Sequence, residues 1–240
     1  MKRVDDYGGD ECVVRYLVGR GCDVNGVDVY GWNGVHIGTQ EGHLNIVKYL
    51  IEEVGCSVND KNNYGMSALM IGCRRGNEEI VDYLLNHGGD VNAVNNDGWN
   101  GVIIASCNGQ LNVIQYLLNH GGDVNAQDKY GWNAIIYASY NGYLTIIDYF
   151  VNQGGDLNAK DIDGWNGIMI ASRNGHLNVI ESLINHGGDV NAVNNHGWTA
   201  IMIAASNGHL DIVEYLLNHG GDVNAVNTDG WNAIMIASQQ

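Results

Sequence analysis

DKYGWNAIIYASYNGYLTIIDYFVNQGGDLNAK, residues 128–160, decides the fold. Asp128-Lys129-Tyr130-Gly131 reads as a turn, with Gly131 supplying the positive φ that other residues resist. Trp132 follows, then Asn133, whose side chain can accept a bond from the free amides of a helix start. Ile135, Ile136, Ala138 and Ser139 make a short helix with one small face, and Asn141-Gly142 stops it. Leu144, Ile146, Ile147, Tyr149 and Phe150 recur at helical spacing and predict a second, amphipathic helix. Gln153-Gly154-Gly155 ends that helix in the left-handed conformation, and Asp156-Leu157-Asn158-Ala159 leads out as an extended segment. Neither helix can bury its apolar stripe alone, so the stretch demands neighbours like itself.

The rest of the sequence supplies them. Gly98-Trp99, Gly131-Trp132, Gly164-Trp165, Gly197-Trp198 and Gly230-Trp231 recur in strict 33-residue register. Gly31-Trp32 joins through a variant, Gly65-Met66, with one extra residue between the two. A fixed period of about 20–50 residues is the signature of stacked units. Such a stack grows without a central core and offers a long surface rather than a single catalytic cleft.

Residues 194–226 carry the pattern in fullest form: Asn194…Gly197, Thr199-Ala200-Ile201-Met202, Ala204-Ala205, Gly208-His209-Leu210, Val213…Leu216-Leu217 and Gly220-Gly221-Asp222-Val223-Asn224-Ala225. This resembles the ankyrin repeat, over essentially the whole chain. The resemblance implies an all-α solenoid of stacked helix-turn-helix units with β-hairpin/turn tips. Full repeats are expected at 28–61, 62–94, 95–127, 128–160, 161–193 and 194–226, with half repeats at 1–27 and 227–240. The chain has no proline, so the Thr-Pro helix start of the family is absent, and Asn33, Asn100, Asn133, Asn166 and Asn232 stand in as caps. The family's histidine survives only at His36; Met70, Ile103, Ile136, Met169, Met202 and Met235 fill its position elsewhere. Because both partners of the family's Thr–His bonding are usually replaced together, no orphan polar group is expected.

Charge narrows the partners. The net charge is −16, of which residues 76–240, with 3 Lys/Arg against 17 Asp/Glu, carry −14, and no Lys or Arg follows Arg173. Nucleic acid and anionic membrane demand a positive surface and are poor partners. The acidity serves solubility or draws a basic partner to the C-terminal half. No apolar run approaches the roughly 18–20 residues that span a bilayer, and Met1–Asp6 holds no signal-peptide stretch. Five cysteines, Cys22 and Cys56 in a slot that is Gly elsewhere, suit small buried thiols and a cytoplasmic location.

No catalytic constellation emerges, and neither a cofactor nor a metal is expected. His87, His120, His186 and His219 share one slot and form a ladder. Its rungs, roughly 8–10 Å apart, cannot converge on a zinc ion. His43, His176 and His209 fall in Gly-x-Leu-type loops, where the resemblance implies a loop-bonding role. Asp161-Ile162-Asp163-Gly164 hints at a calcium loop, but Ala159 and Ile170 fall where ligands are required. There is no phosphate-binding glycine loop, Gly-x-Ser-x-Gly or His-Glu-x-x-His. The resemblance also implies possible substrates of asparaginyl hydroxylases at Asn92, Asn125, Asn191 and Asn224, against a plain reading as hydrogen-bonding turn residues.

In ankyrin proteins the tips and the inner face of the first helix make the concave recognition surface. The matching residues are Trp32, Trp99, Trp132, Trp165, Trp198 and Trp231, together with Tyr30, Tyr64 and Tyr130 at the tips. Arg74, Arg75, Tyr140 and Arg173 stand at the helix ends, do not repeat, and are the better candidates for selectivity. Trp, Tyr and Arg dominate interface energy, yet a repeated Trp also suits flat packing on its neighbour's turn, and both readings stay open. The expected function is a non-enzymatic protein-binding module. The alternatives are a spacer or self-assembling scaffold, favoured by near-identical units, and an accessory part of a larger protein. Ile234 and Ile236 lack a covering second helix, and Met1–Tyr7 is too short and charged for a good first helix. A fragment of a longer array or weak head-to-tail association would each account for this.

Overall fold

A computed structural model describes residues 9–239, so the expectation for Met1–Tyr7 lies outside the described residues. Two compact units divide at Gly122. The first holds α1 (Gly9–Gly19), α2 (Gly34–Glu41), α3 (Leu44–Lys48), α4 (Ala68–Arg75), α5 (Glu78–Asn86), α6 (Gly101–Cys107) and α7 (Leu111–Asn119). The second holds α8 (Ala134–Asn141), α9 (Leu144–Asn152), α10 (Gly167–Asn174), α11 (Leu177–Asn185), α12 (Ala200–Ser206), α13 (Leu210–Asn218) and α14 (Ala233–Ala237).

Each unit is a helical stack. Short first helices pack on one another, α2 on α4 on α6 and α8 on α10 on α12 on α14, while α4, α6, α8, α10 and α12 each also pack on the longer helix that follows, and α2 packs on α3. Contact on several sides explains their composition: Gly101 through Ser106 are all buried, as are Gly167 through Ser172. The second helices expose one face, so α7 buries only Val113, Ile114 and Leu117.

Capping follows the sequence. Asn133 Oδ1 accepts from Ile136 N at 2.9 Å and Asn166 Oδ1 from Met169 N at 3.0 Å, while Ser67 and Thr199 do the same at α4 and α12. The cap uses only the oxygen, however. Asn133 Nδ2 and Asn166 Nδ2 are buried and bond to nothing among the described residues, contrary to the expectation of no orphan polar group. The Asn amide carries two N–H donors fixed in its plane, where Ser or Thr in the same place brings a single rotatable O–H.

The extra residue between Gly31 and Gly65 has a structural address. α3 runs on into a π-helical turn, Tyr49–Glu53, and together they span one residue more than the nine of α7. A π turn absorbs a one-residue insertion while restoring the helix face beyond it.

The expected β-hairpin/turn tips are overturned. No strand occurs among the described residues; there are only two isolated bridges, Lys61–Ser67 and Gln127–Asn133. Two causes are visible. Neighbouring loops meet through single backbone bonds, such as Asn63 N to Tyr30 O, Ile162 N to Tyr130 O and Asn195 N to Asp163 O, each 3.0 Å, where a ladder needs successive pairs. Each loop also curls onto its own first residue: Asp161 Oδ1 accepts from Asp163 N at 2.9 Å and Trp165 N at 2.8 Å. Gly164, at φ +82°, completes the curl, and a Cβ there would lie 2.8 Å from Asn195 Oδ1 of the next loop. The segment after α9 is likewise bent rather than extended, with Asn158 N donating to Asp156 Oδ1 at 3.0 Å.

Candidate protein-binding surface

All six tryptophans are half-buried, one side packed and the other open. Trp165 and Trp198 pack against the buried cluster of Met169, Ala192 and Ile203. Trp132 donates from Nε1 to Asp161 Oδ2 at 3.0 Å, and its ring lies 5.0 Å from Tyr137 and 6.0 Å from Tyr140. Trp32 meets His36 edge-on at 6.0 Å. The backbone amides of Trp32, Trp99, Trp132, Trp165, Trp198 and Trp231 are held by the Asp or Asn four residues earlier. Those acceptors, Asp28, Asn95, Asp128, Asp161, Asn194 and Asn227, each position their own tryptophan. Sequence reading missed them, although Asp or Asn at that spacing was the signal.

The remaining candidates separate by surroundings. Tyr30 and Tyr64 are exposed and stack at 6.4 Å in the first unit. Arg74 and Arg75 turn back to the neighbouring helix end, Arg74 Nη2 bonding Gln40 Oε1 at 2.9 Å and Arg75 Nε bonding Gln40 O at 3.0 Å. In the second unit the residues converge. Tyr130, Trp132, Trp165 and Arg173 share a cavity of about 290 Å³ with Asp161 and Asp163. Trp165, Arg173 and Trp198 share an adjacent one of about 330 Å³ with His196 and Asn207. The Arg173 guanidinium lies over the Trp165 ring at 5.9 Å.

The histidines have local tasks. His87, His120, His186 and His219 each bond through Nδ1 to the carbonyl four residues back, at 2.8 Å. His176 Nε2 reaches Tyr140 O at 3.2 Å, and His209 Nε2 reaches Arg173 O at 3.3 Å, tying loop to helix end. His36 is buried in a capping box: its Nδ1 accepts from Asn33 N at 3.2 Å, so Nε2 carries the proton toward Asp60 O at 3.0 Å. Burial holds the His36 imidazole below its usual pKa, against the opposing pull of Asp60. Among the described residues no three metal-ligating side chains converge.

Asn92, Asn125, Asn191 and Asn224 are exposed. Asn191 uses both ends of its amide, Nδ2 to Gly220 O at 2.9 Å and Oδ1 from Asp222 N at 2.8 Å, bridging to the next loop. Asn125 repeats the arrangement with Gly154 and Asp156. Cys22 is exposed rather than buried, because it ends a loop after α1, whereas Cys73 is fully buried and burial pushes its thiol well up.

A family model for ankyrin repeats, built of three copies, matches residues 4–95, 87–161 and 168–240. The chain belongs to the ankyrin-repeat family. Ankyrin-repeat domains are scaffold and adaptor modules, not catalysts, and generally mediate protein–protein interactions. No curated protein matches the chain. Nor is any helix among the described residues of this ankyrin-repeat chain long and apolar enough to cross a membrane.

Proposed function

We propose that the chain binds a protein partner, without chemistry, on the face made by its loops and first-helix ends. The observation that carries this reading is the pair of adjoining aromatic-walled cavities around Trp132, Trp165, Trp198 and Arg173. Open indole and phenol surface beside a guanidinium is the composition of binding hot spots. The excess of carboxylates beyond residue 76 favours a partner that is basic overall, through faster encounter more than through tighter contact. A reducing, cytoplasmic setting belongs to this proposal, since none of the five cysteines is bridged. The test is affinity capture from the source cell with wild type and with Trp198→Ala. Loss of the captured protein by a variant that stays folded supports the face; equal capture by both removes it.

A second reading, self-association, rests on exposed apolar surface. Ile234 and Met235 of α14 are 71% and 50% exposed, and an apolar groove of about 280 Å³ lies among Val14, Leu17, Ile37, Ile46 and Leu50. Light scattering over a concentration series tests it. A mass that rises with concentration, and stays monomeric in Leu17→Glu, supports association, and a constant monomer mass ends it.

A further inference from the structure

We propose that the cavity between Trp165 and Trp198 is a carboxylate-reading subsite, whose occupant is an Asp or Glu side chain of the protein partner. This rests on the reading of that face as a partner surface and names the chemistry of one place on it.

Charge is the first observation. Residues 123–240 carry twelve Asp/Glu and only Lys129, Lys160 and Arg173 as Lys/Arg. The cavity nevertheless includes no carboxylate in its wall, and its titratable groups are Arg173 and His196. The adjoining cavity, across the Trp165–Arg173 wall, has the opposite character, with Asp161 and Asp163. A field that is negative on the large scale therefore contains one small positive socket.

The second observation is the state of Arg173. Among the described residues its guanidinium makes no ion pair, although it is the last Lys or Arg of the chain. The guanidinium lies 5.9 Å from the Trp165 ring centre. Position at the end of α10 explains why a cation is tolerated there, since the helix C-terminus is partly negative. It does not account for the unpaired donors. Arg74 and Arg75 occupy helix ends too, and each gives one donor to Gln40.

The backbone at this place is fixed: Arg173 O accepts from His209 Nε2 at 3.3 Å. The guanidinium stands over the Trp165 indole at the outer reach of a cation–π contact, which leaves its N–H groups open. A carboxylate matches that fork with two parallel bonds. Low-dielectric indole walls on both sides strengthen the pair relative to one in open water. The surrounding carboxylates then act as a filter. They repel a phosphate-rich or polyacidic ligand and admit a lone acidic residue on a segment that is otherwise neutral or basic.

The test selects peptides from a random-peptide display library on the whole chain and measures the tightest of them. In wild type, replacing the peptide's acid by its amide is expected to weaken binding about tenfold, the effect of one charge-assisted bond. Against Arg173→Ala the same replacement is expected to change little. Arg173→Lys should restore only part of the difference, because an ammonium cannot make the paired bonds. Arg173 is exposed, so these variants should keep the wild-type melting curve. Selected peptides without an acid, or an equal loss in wild type and Arg173→Ala, overturn the subsite. The indole N–H signals of Trp165 and Trp198 separate the two levels. If bound peptides shift them while Arg173→Ala has no effect, the surface stands and the carboxylate subsite falls. If no peptide shifts them, the surface itself is wrong and the subsite goes with it.

Discussion

Trp132 is held from two directions, by ring packing on Tyr137 and by its N–H on Asp161 Oδ2. Trp132→Phe keeps most of the first and deletes the second. Equilibrium urea melts should show a loss of about 1.5–3 kcal/mol, the scale of one hydrogen bond to a charged group. His36 sets a pH dependence. Its folded pKa is depressed by burial, so the unfolded chain takes up the proton more readily and the stabilisation is fully present above the ordinary value of 6.5. Stability should therefore fall as pH drops through and below that value, and His36→Met, which copies Met70 in the neighbouring repeat, should flatten the fall in melts at several pH values. At Asn166 the orphan Nδ2 makes the opposite kind of target. Asn166→Thr keeps the capping oxygen, as Thr199 does at α12, replaces the buried NH2 by a single rotatable O–H and should gain about 0.5–1 kcal/mol in thermal or urea unfolding.

Among the elements, the π turn after α3 is the clearest case of a sequence irregularity resolved locally. Deleting Glu52 should let the segment close as a nine-residue α-helix, lowering Tm by less than about 4 °C. Deleting Gln115 from the regular α7 instead turns every later side chain by about 100° around the helix axis and should lower Tm far more, by circular dichroism melts. The helices and their caps were legible because period, Asn and Gly are local signals; Gly142 ends α8 as the sequence implied, in the left-handed region, and Gly175 ends α10 the same way. Strands at the tips were not foreseeable as absent. Whether two loops form a ladder depends on how many bonds cross between them, and Tyr130 and Ile162 share just one. The orphan amides at Asn133 and Asn166 escaped for the same reason, since they depend on what the next repeat brings near. Among the site residues, the Trp row was visible, whereas the contrast between Arg173 and the Gln40-bound Arg74 and Arg75 exists only in three dimensions.

For the molecule as a whole, stability comes from neighbour-to-neighbour packing of first and second helices, α10 on α8, α11 and α12 for example. Removing residues 194–240 should leave a protein with helical circular dichroism and a lower, still cooperative, melt, because the α8–α11 interfaces survive. Complete loss of helix in that truncation would contradict additive stacking. The loops have a mechanical consequence. Within each unit, successive loops are joined by one backbone bond and a few side-chain bonds, as Asn195 N joins Asp163 O, Asn195 Nδ2 joins Ile162 O and Lys160 Nζ joins Val193 O. A pull along such a row loads these joints in series, and each is weak. The chain should yield to tension joint by joint, like a spring with many soft coils, rather than hold rigid and then snap.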